Sequence, residues 1–211
     1  MDITKKGYYF IGLIIALYAW IVILYFTGPP SNDVFDYFIR LGVLIGYTSL
    51  FLAALIMPFM RQVTKSFGTS FLNIHHLLSV IGIILITAHP IAMAINWDTL
   101  SVFLPEFNSW YTFWQNAGRI AFYIIYFAAI IGLVRKYFSP KIWRFFHGFI
   151  YIALVFGYFH GILSGTDFEN PGNYEHLGML ITFTAILVLV FEVLIYRRYQ
   201  KYKLKQMKKK E

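Results

Sequence analysis

Residues 74–90 read IHHLLSVIGIILITAHP and place His75 and His89 fourteen residues apart inside one apolar run. On a helix rising ~1.5 Å per residue, that interval is ~20 Å, most of the ~30 Å hydrocarbon core of a bilayer. Imidazole is costly in such an environment unless something uses it. A second segment repeats the pattern. Trp143-Arg144-Phe145-Phe146-His147 leads through an apolar stretch to Phe159-His160-Gly161, with His147 and His160 thirteen residues apart.

The rest of the chain has the composition of a membrane protein. Of its 211 residues 59% are hydrophobic and 13% charged, with a mean hydropathy of +0.62. Soluble domains carry about twice that charge. Six apolar blocks, at about 8–27, 37–59, 72–95, 112–134, 142–164 and 176–196, are each long enough to cross a bilayer as a helix. The first has a longer apolar core than a secretory signal and lacks a small-residue cleavage site, so it is expected to be a retained span. The expected fold is therefore all-α: a polytopic membrane protein, a six-transmembrane-helix bundle forming a single domain over 1–211. The absence of cysteine excludes disulfides, iron–sulfur clusters and thiol catalysis. No G-x-G-x-x-G or phosphate loop occurs, so a nicotinamide or flavin domain is expected on another polypeptide.

Charge orients the spans. All but two of the 18 basic residues fall in the N-terminus (Lys5, Lys6), the 2–3 loop (Arg61, Lys65), the 4–5 loop (Arg135, Lys136, Lys141, Arg144) and the tail from Arg197 to Lys210. The opposite loops hold Asp33, Asp36, Asp98, Glu106, Asp167, Glu169 and Glu175. The positive-inside rule then predicts a multi-pass protein of the cell membrane with both termini cytoplasmic. The basic tail directly follows a span, which favours topology and anionic lipid over nucleic acid as its reason. Docking of an acidic electron donor is the second reading.

With that topology the third and fifth spans run parallel. Depth pairs His75 with His147 and His89 with His160, and each pair is placed to clamp one heme iron from both sides. Bis-imidazole iron has no open position, so it carries electrons and binds no substrate at the metal. Zinc fits poorly, since its ligands must converge within ~2 Å of one ion. Helical angle supports the first pair, because fourteen residues return to within ~40° of one face; thirteen miss by ~140°. Bending, a local bulge or Gly148 and Gly157 must absorb that difference. His76 reads as a neighbour of the site or a headgroup-facing residue, and His176 as a surface or substrate-side contact.

Arg40 and Arg119 lie within spans near the acidic side. Heme propionates are one expected partner, bound bidentately. Snorkelling to headgroups, or pairing with a loop acid such as Asp36 or Glu106, is the other. Glu192 is expected to pair with Arg197 or Arg198. Trp97, Trp110, Trp114 and Trp143 fall at span ends, as an interfacial belt predicts, and Phe146 and Phe159 are placed to pack porphyrin faces.

The stretch from Ile74-His75-His76-Leu77 to Ala88-His89-Pro90 resembles the third helix of the ferric reductase-like transmembrane family, and Trp143-Arg144-Phe145-Phe146-His147 through Phe159-His160-Gly161 resembles its fifth. That family includes the membrane part of NADPH oxidases, metalloreductases and the heme subunit of bacterial methionine sulfoxide reductase. The unequal intervals of fourteen and thirteen are similar to those of the oxidase branch. The resemblance covers about three-quarters of the chain. It implies a membrane cytochrome b with b-type hemes, two or in a reduced branch one, on His75, His147, His89 and His160. It also implies one-electron oxidoreductase chemistry from a cytoplasmic flavin/NAD(P)H reductase or another electron-donor protein to an acceptor outside. The chain ends at Glu211 without the fused flavin domain of the oxidases, which makes it look like an electron-transfer subunit needing a partner reductase. A heme-free transporter or assembly subunit, with the histidines as a proton or metal pathway, is the alternative from another class.

Overall fold

A computed structural model describes residues 3–30, 33–168 and 174–207. Glu169, Asn170, Pro171, Gly172, Lys208, Lys209, Lys210 and the side chain of Glu175 lie outside the described residues. Among the described residues the chain is helical with no strand. Nine α-helices follow in order: α1 Lys5–Thr27, α2 Val34–Ile56, α3 Met60–Phe67, α4 Phe71–Asn96, α5 Trp110–Gln115, α6 Ala117–Leu133, α7 Pro140–His147, α8 Ile150–Ser164 and α9 Tyr174–Met207.

Among the described residues five stretches are long and apolar enough to cross a membrane: Lys5–Thr27, Val34–Phe67, Phe71–Asn96, Pro140–Ser164 and His176–Met207. Their flanks expose Leu13, Ile23, Ile84, Ile91, Ile181 and Val188, a belt of aliphatic surface that only a hydrocarbon solvent accommodates. The protein is therefore membrane-embedded. The fourth apolar block departs from the expected single helix. It divides at Asn116 into α5 and the 17-residue α6, which rises only ~25 Å. At the division the Asn116 amide Nδ2 donates to the Thr112 carbonyl at 3.0 Å. A side chain that bonds the backbone locally competes with helix continuation.

The fifth block is also interrupted. α7 ends at His147, and Gly148 and Phe149 have ψ of −13° and −15°. There Tyr151 N–H bonds Gly148 O at 3.2 Å and Ile152 N–H bonds Phe149 O at 3.0 Å, a three-residue rather than four-residue repeat. Such a turn winds at ~120° per residue instead of ~100°. Three such residues close roughly 60° of the roughly 140° mismatch between His147 and His160. The turn thus absorbs less than half of the difference, and Gly148 sits in it with an ordinary helical φ of −64°. Gly157 has a different effect: its missing Cβ makes room for the Tyr47 ring, whose Cε2 would lie 2.8 Å from it, and the Tyr47 hydroxyl donates to Leu154 O.

Two helix pairs frame the interior. α2 packs closely on α4, and α6 on α8. At the first crossing Gly46 and Gly82 face each other; a Cβ on Gly46 would meet Leu85 Cβ at 2.7 Å and Gly82 O at 3.1 Å. Small residues let membrane helices approach in this way. A buried cluster of Ile21, Tyr25, Phe51, Leu154, Phe183 and Val190 ties α1, α2, α8 and α9 together. α4 and α8, which carry the histidines, pack on their outer neighbours and not extensively on each other. A slot remains between them.

Candidate heme sites

The four histidines line that slot in the pairs that depth predicts. At the end where the basic residues gather, the His75 and His147 ring centres stand 6.2 Å apart at 68°. Metal–imidazole bonds of about 2 Å, plus about 1 Å from each nitrogen to its ring centre, separate two axial imidazoles by about 6 Å. At the acidic end His89 and His160 share the wall of a cavity of about 430 Å³, within the range of small-molecule and cofactor sites, roughly 300–1,000 Å³.

Each ring is oriented by what its other nitrogen does. His75 Nδ1 donates to Ala53 O at 3.2 Å, His147 Nδ1 to Ala128 O at 2.8 Å and His160 Nδ1 to Gln115 O at 2.5 Å. A carbonyl only accepts, so in all three rings Nδ1 carries a proton, and in the neutral ring Nε2 then keeps its lone pair. That is the state in which imidazole binds a metal, and backbone carbonyls commonly fix it. The fourth ring differs: His89 Nδ1 is buried without any hydrogen-bond partner. A buried orphan nitrogen at a cavity wall is costly in the bare protein; it is satisfied by a partner at Nδ1 itself, and ligation through Nε2 would leave it unpaired.

The histidines nevertheless come only in twos. Among the described residues no three His, Asp or Glu side chains converge on one point. Two imidazoles leave a bare ion short of the usual four ligands, whereas a porphyrin brings four nitrogens of its own. The donor set therefore fits heme and fits a bare transition metal poorly.

Two glycines that sequence reading passed over complete the slot. Gly118 and Gly132 stand fourteen residues apart on α6, the same interval as His75 and His89. A Cβ on Gly118 would strike the His160 ring, 2.6 Å from Cγ and 2.7 Å from Nε2. A Cβ on Gly132 would lie 3.3 Å from His147 Nδ1. α6 thus holds both rings through bare backbone at two depths. The repeated interval was the available signal. Pro90, inside α4 and in the cavity wall, removes one helical hydrogen bond beside His89.

The arginines both find protein carboxylates. Arg40 is buried, with Nη2 2.6 Å from Asp167 Oδ1, Nε 3.3 Å from Asp167 Oδ2 and Nη1 3.4 Å from Asp36. It does not line the cavity. Arg119 does, and its Nη1 meets Glu106 at 3.1 Å and Leu104 O. Its Nε and Nη2 make no protein hydrogen bond among the described residues, so they remain for a ligand in the cavity. The loop-acid alternative, Asp36 and Glu106, is thus present for both arginines.

The remaining residues singled out in the sequence fall as follows. His176 is buried, only 7% exposed, with Nδ1 donating to Asp167 O at 3.2 Å; it is not the surface group that the sequence suggests. His76 is exposed beside His75, with ring centres 6.0 Å apart. Glu192 makes no ion pair among the described residues, and Arg197 lies instead over the Phe59 ring at 4.4 Å. Phe159 packs on Trp114 at 4.8 Å and Phe146 on Phe127 at 5.8 Å. The cavity walls are lined instead by Phe103, Phe122, Phe168 and Phe183. Comparisons with known protein families, with curated proteins and with solved structures found no match.

Proposed function

We propose that this chain is a six-span, di-heme b-type cytochrome of the cell membrane, passing electrons from a cytoplasmic donor to an acceptor on the other side. The observation that carries the reading is the His75–His147 pair, 6.2 Å apart with both Nδ1 atoms engaged by backbone carbonyls. The positive-inside rule puts that pair near the cytoplasm and the His89–His160 pair near the outside. In this reading α6, though short, crosses the core together with α5. Heme supplies a reversible one-electron couple; the protein supplies everything else. His75 and His147 hold the inner group, His89 and His160 the outer one, and the ~20 Å between ligand depths sets the spacing of the irons. Arg119 presents its free guanidinium donors to a propionate. The resemblance to the ferric reductase-like family points the same way, and the donor is a flavin/NAD(P)H reductase or another protein on the cytoplasmic side.

The test is the reduced-minus-oxidised spectrum of the purified protein. The proposal expects the α band of low-spin b heme. A colourless protein from heme-replete cells overturns it and turns the histidines into a heme-free proton or metal pathway.

A further inference from the structure

Asp167 lies in the wall of the cavity that His89 and His160 share, and its partner Arg40 does not. Both are buried, 7% and 8% exposed. Two hydrogen bonds, 2.6 Å and 3.3 Å, fix the guanidinium on the carboxylate. The remaining guanidinium contacts are Asp36 at 3.4 Å, Pro29 O at 3.2 Å and the Tyr25 ring at 5.4 Å. His176 secures the Asp167 backbone from the other side. The pair is therefore rigid, and its negative member, Asp167, is the one in the cavity wall. Counting Asp36, two carboxylates surround one guanidinium, so the cluster carries net negative charge. Across the cavity Arg119 is already balanced by Glu106.

We infer that Asp167 sets the potential of the outer heme, holding it low so that the outer centre is the stronger reductant toward its acceptor. The inference rests on the di-heme reading above. A fixed negative charge in a low-dielectric wall favours the oxidised, more positive state of a metal group beside it. One electron leaves the reduced outer centre for the acceptor, and the more that centre's oxidised state is stabilised, the larger the driving force of that step. Arg40 moderates the effect by withdrawing part of the carboxylate's charge. The inner site, ~20 Å away, is beyond its reach.

The experiment is a spectroelectrochemical titration of the purified holoprotein, resolving the two midpoints at the b-type α band. Asp167→Asn should raise one midpoint and leave the other in place. Asp36→Asn removes a half-exposed carboxylate that does not line the cavity, and should raise the same midpoint by less. If Asp167→Asn fails to retain heme, Asp36→Asn decides the matter alone, because Asp36 is half-exposed and lies outside the cavity wall. Midpoints that stay fixed, or that move together, overturn the inference while leaving a di-heme cytochrome intact. A wild-type protein without a b-type spectrum overturns the function first and this inference with it.

Discussion

Gly118→Ala is a one-methyl perturbation whose effect is readable from the structure. The new Cβ would stand 2.6 Å from His160 Cγ and 2.7 Å from Nε2, against an ordinary carbon contact of about 3.5 Å. The ring must retreat by about 1 Å to restore that contact. It is not free to do so, because His160 Nδ1 is bonded to Gln115 O on the same side. Metal ligation tolerates about 0.2 Å, so the retreat breaks the outer pair. Alanine is the better helix former by about 1 kcal/mol, which partly offsets an overpacking cost of about 1–3 kcal/mol; the fold survives and the ligand geometry does not. Gly132→Ala is the internal control, since its Cβ would meet His147 at 3.3 Å and needs only a few tenths of an ångström. Heme per chain should fall by about half in Gly118→Ala and hold in Gly132→Ala. Two hemes with an unchanged spectrum in Gly118→Ala would refute the placement of His160 against α6.

Other variants probe the remaining elements. His75→Ala or His147→Ala should each remove about half the heme, and so should His89→Ala or His160→Ala; loss from one pair only, measured by pyridine hemochrome, would cut the count to a single site. Arg40→Met strands Asp167 in a buried wall and should cost about 3–5 kcal/mol, seen as earlier thermal loss of heme absorbance. Asp36→Asn, at a half-exposed pair, should cost under about 1 kcal/mol in the same melt. Gly46→Ala pushes on Leu85 and on the Gly82 carbonyl and should lower the unfolding midpoint in detergent at a cost of about 1–3 kcal/mol. Because the chain lacks cysteine, Lys65→Cys and Asp98→Cys should label from opposite faces of the membrane in intact cells; labelling of both from one side would reverse or break the topology.

The parts of this structure that follow from periodicity and charge were legible in the sequence. The apolar blocks, the parallel course of α4 and α7–α8, and the matching of His75 with His147 and His89 with His160 need only helical rise and a sided charge distribution. The breaks at Asn116 and Gly148 were not, since each is a local choice between a side-chain or three-residue hydrogen bond and the regular helix. The partner of Arg40 was out of reach for another reason. Asp36 is one turn away and was foreseen, but Asp167 is 127 residues distant and comes near only when the bundle closes. His176 was misjudged likewise, because its burial depends on the segment around Asp167. Gly118 and Gly132 were readable, but only once the fourteen-residue interval of the histidines is sought on a helix that carries none.

Heme b per chain, measured in purified protein from heme-replete cells, tests the two histidine pairs most directly. Two hemes per chain are expected, both low-spin with bis-imidazole electron paramagnetic resonance signals. A preparation that folds as a helical membrane protein and binds no heme would contradict that expectation.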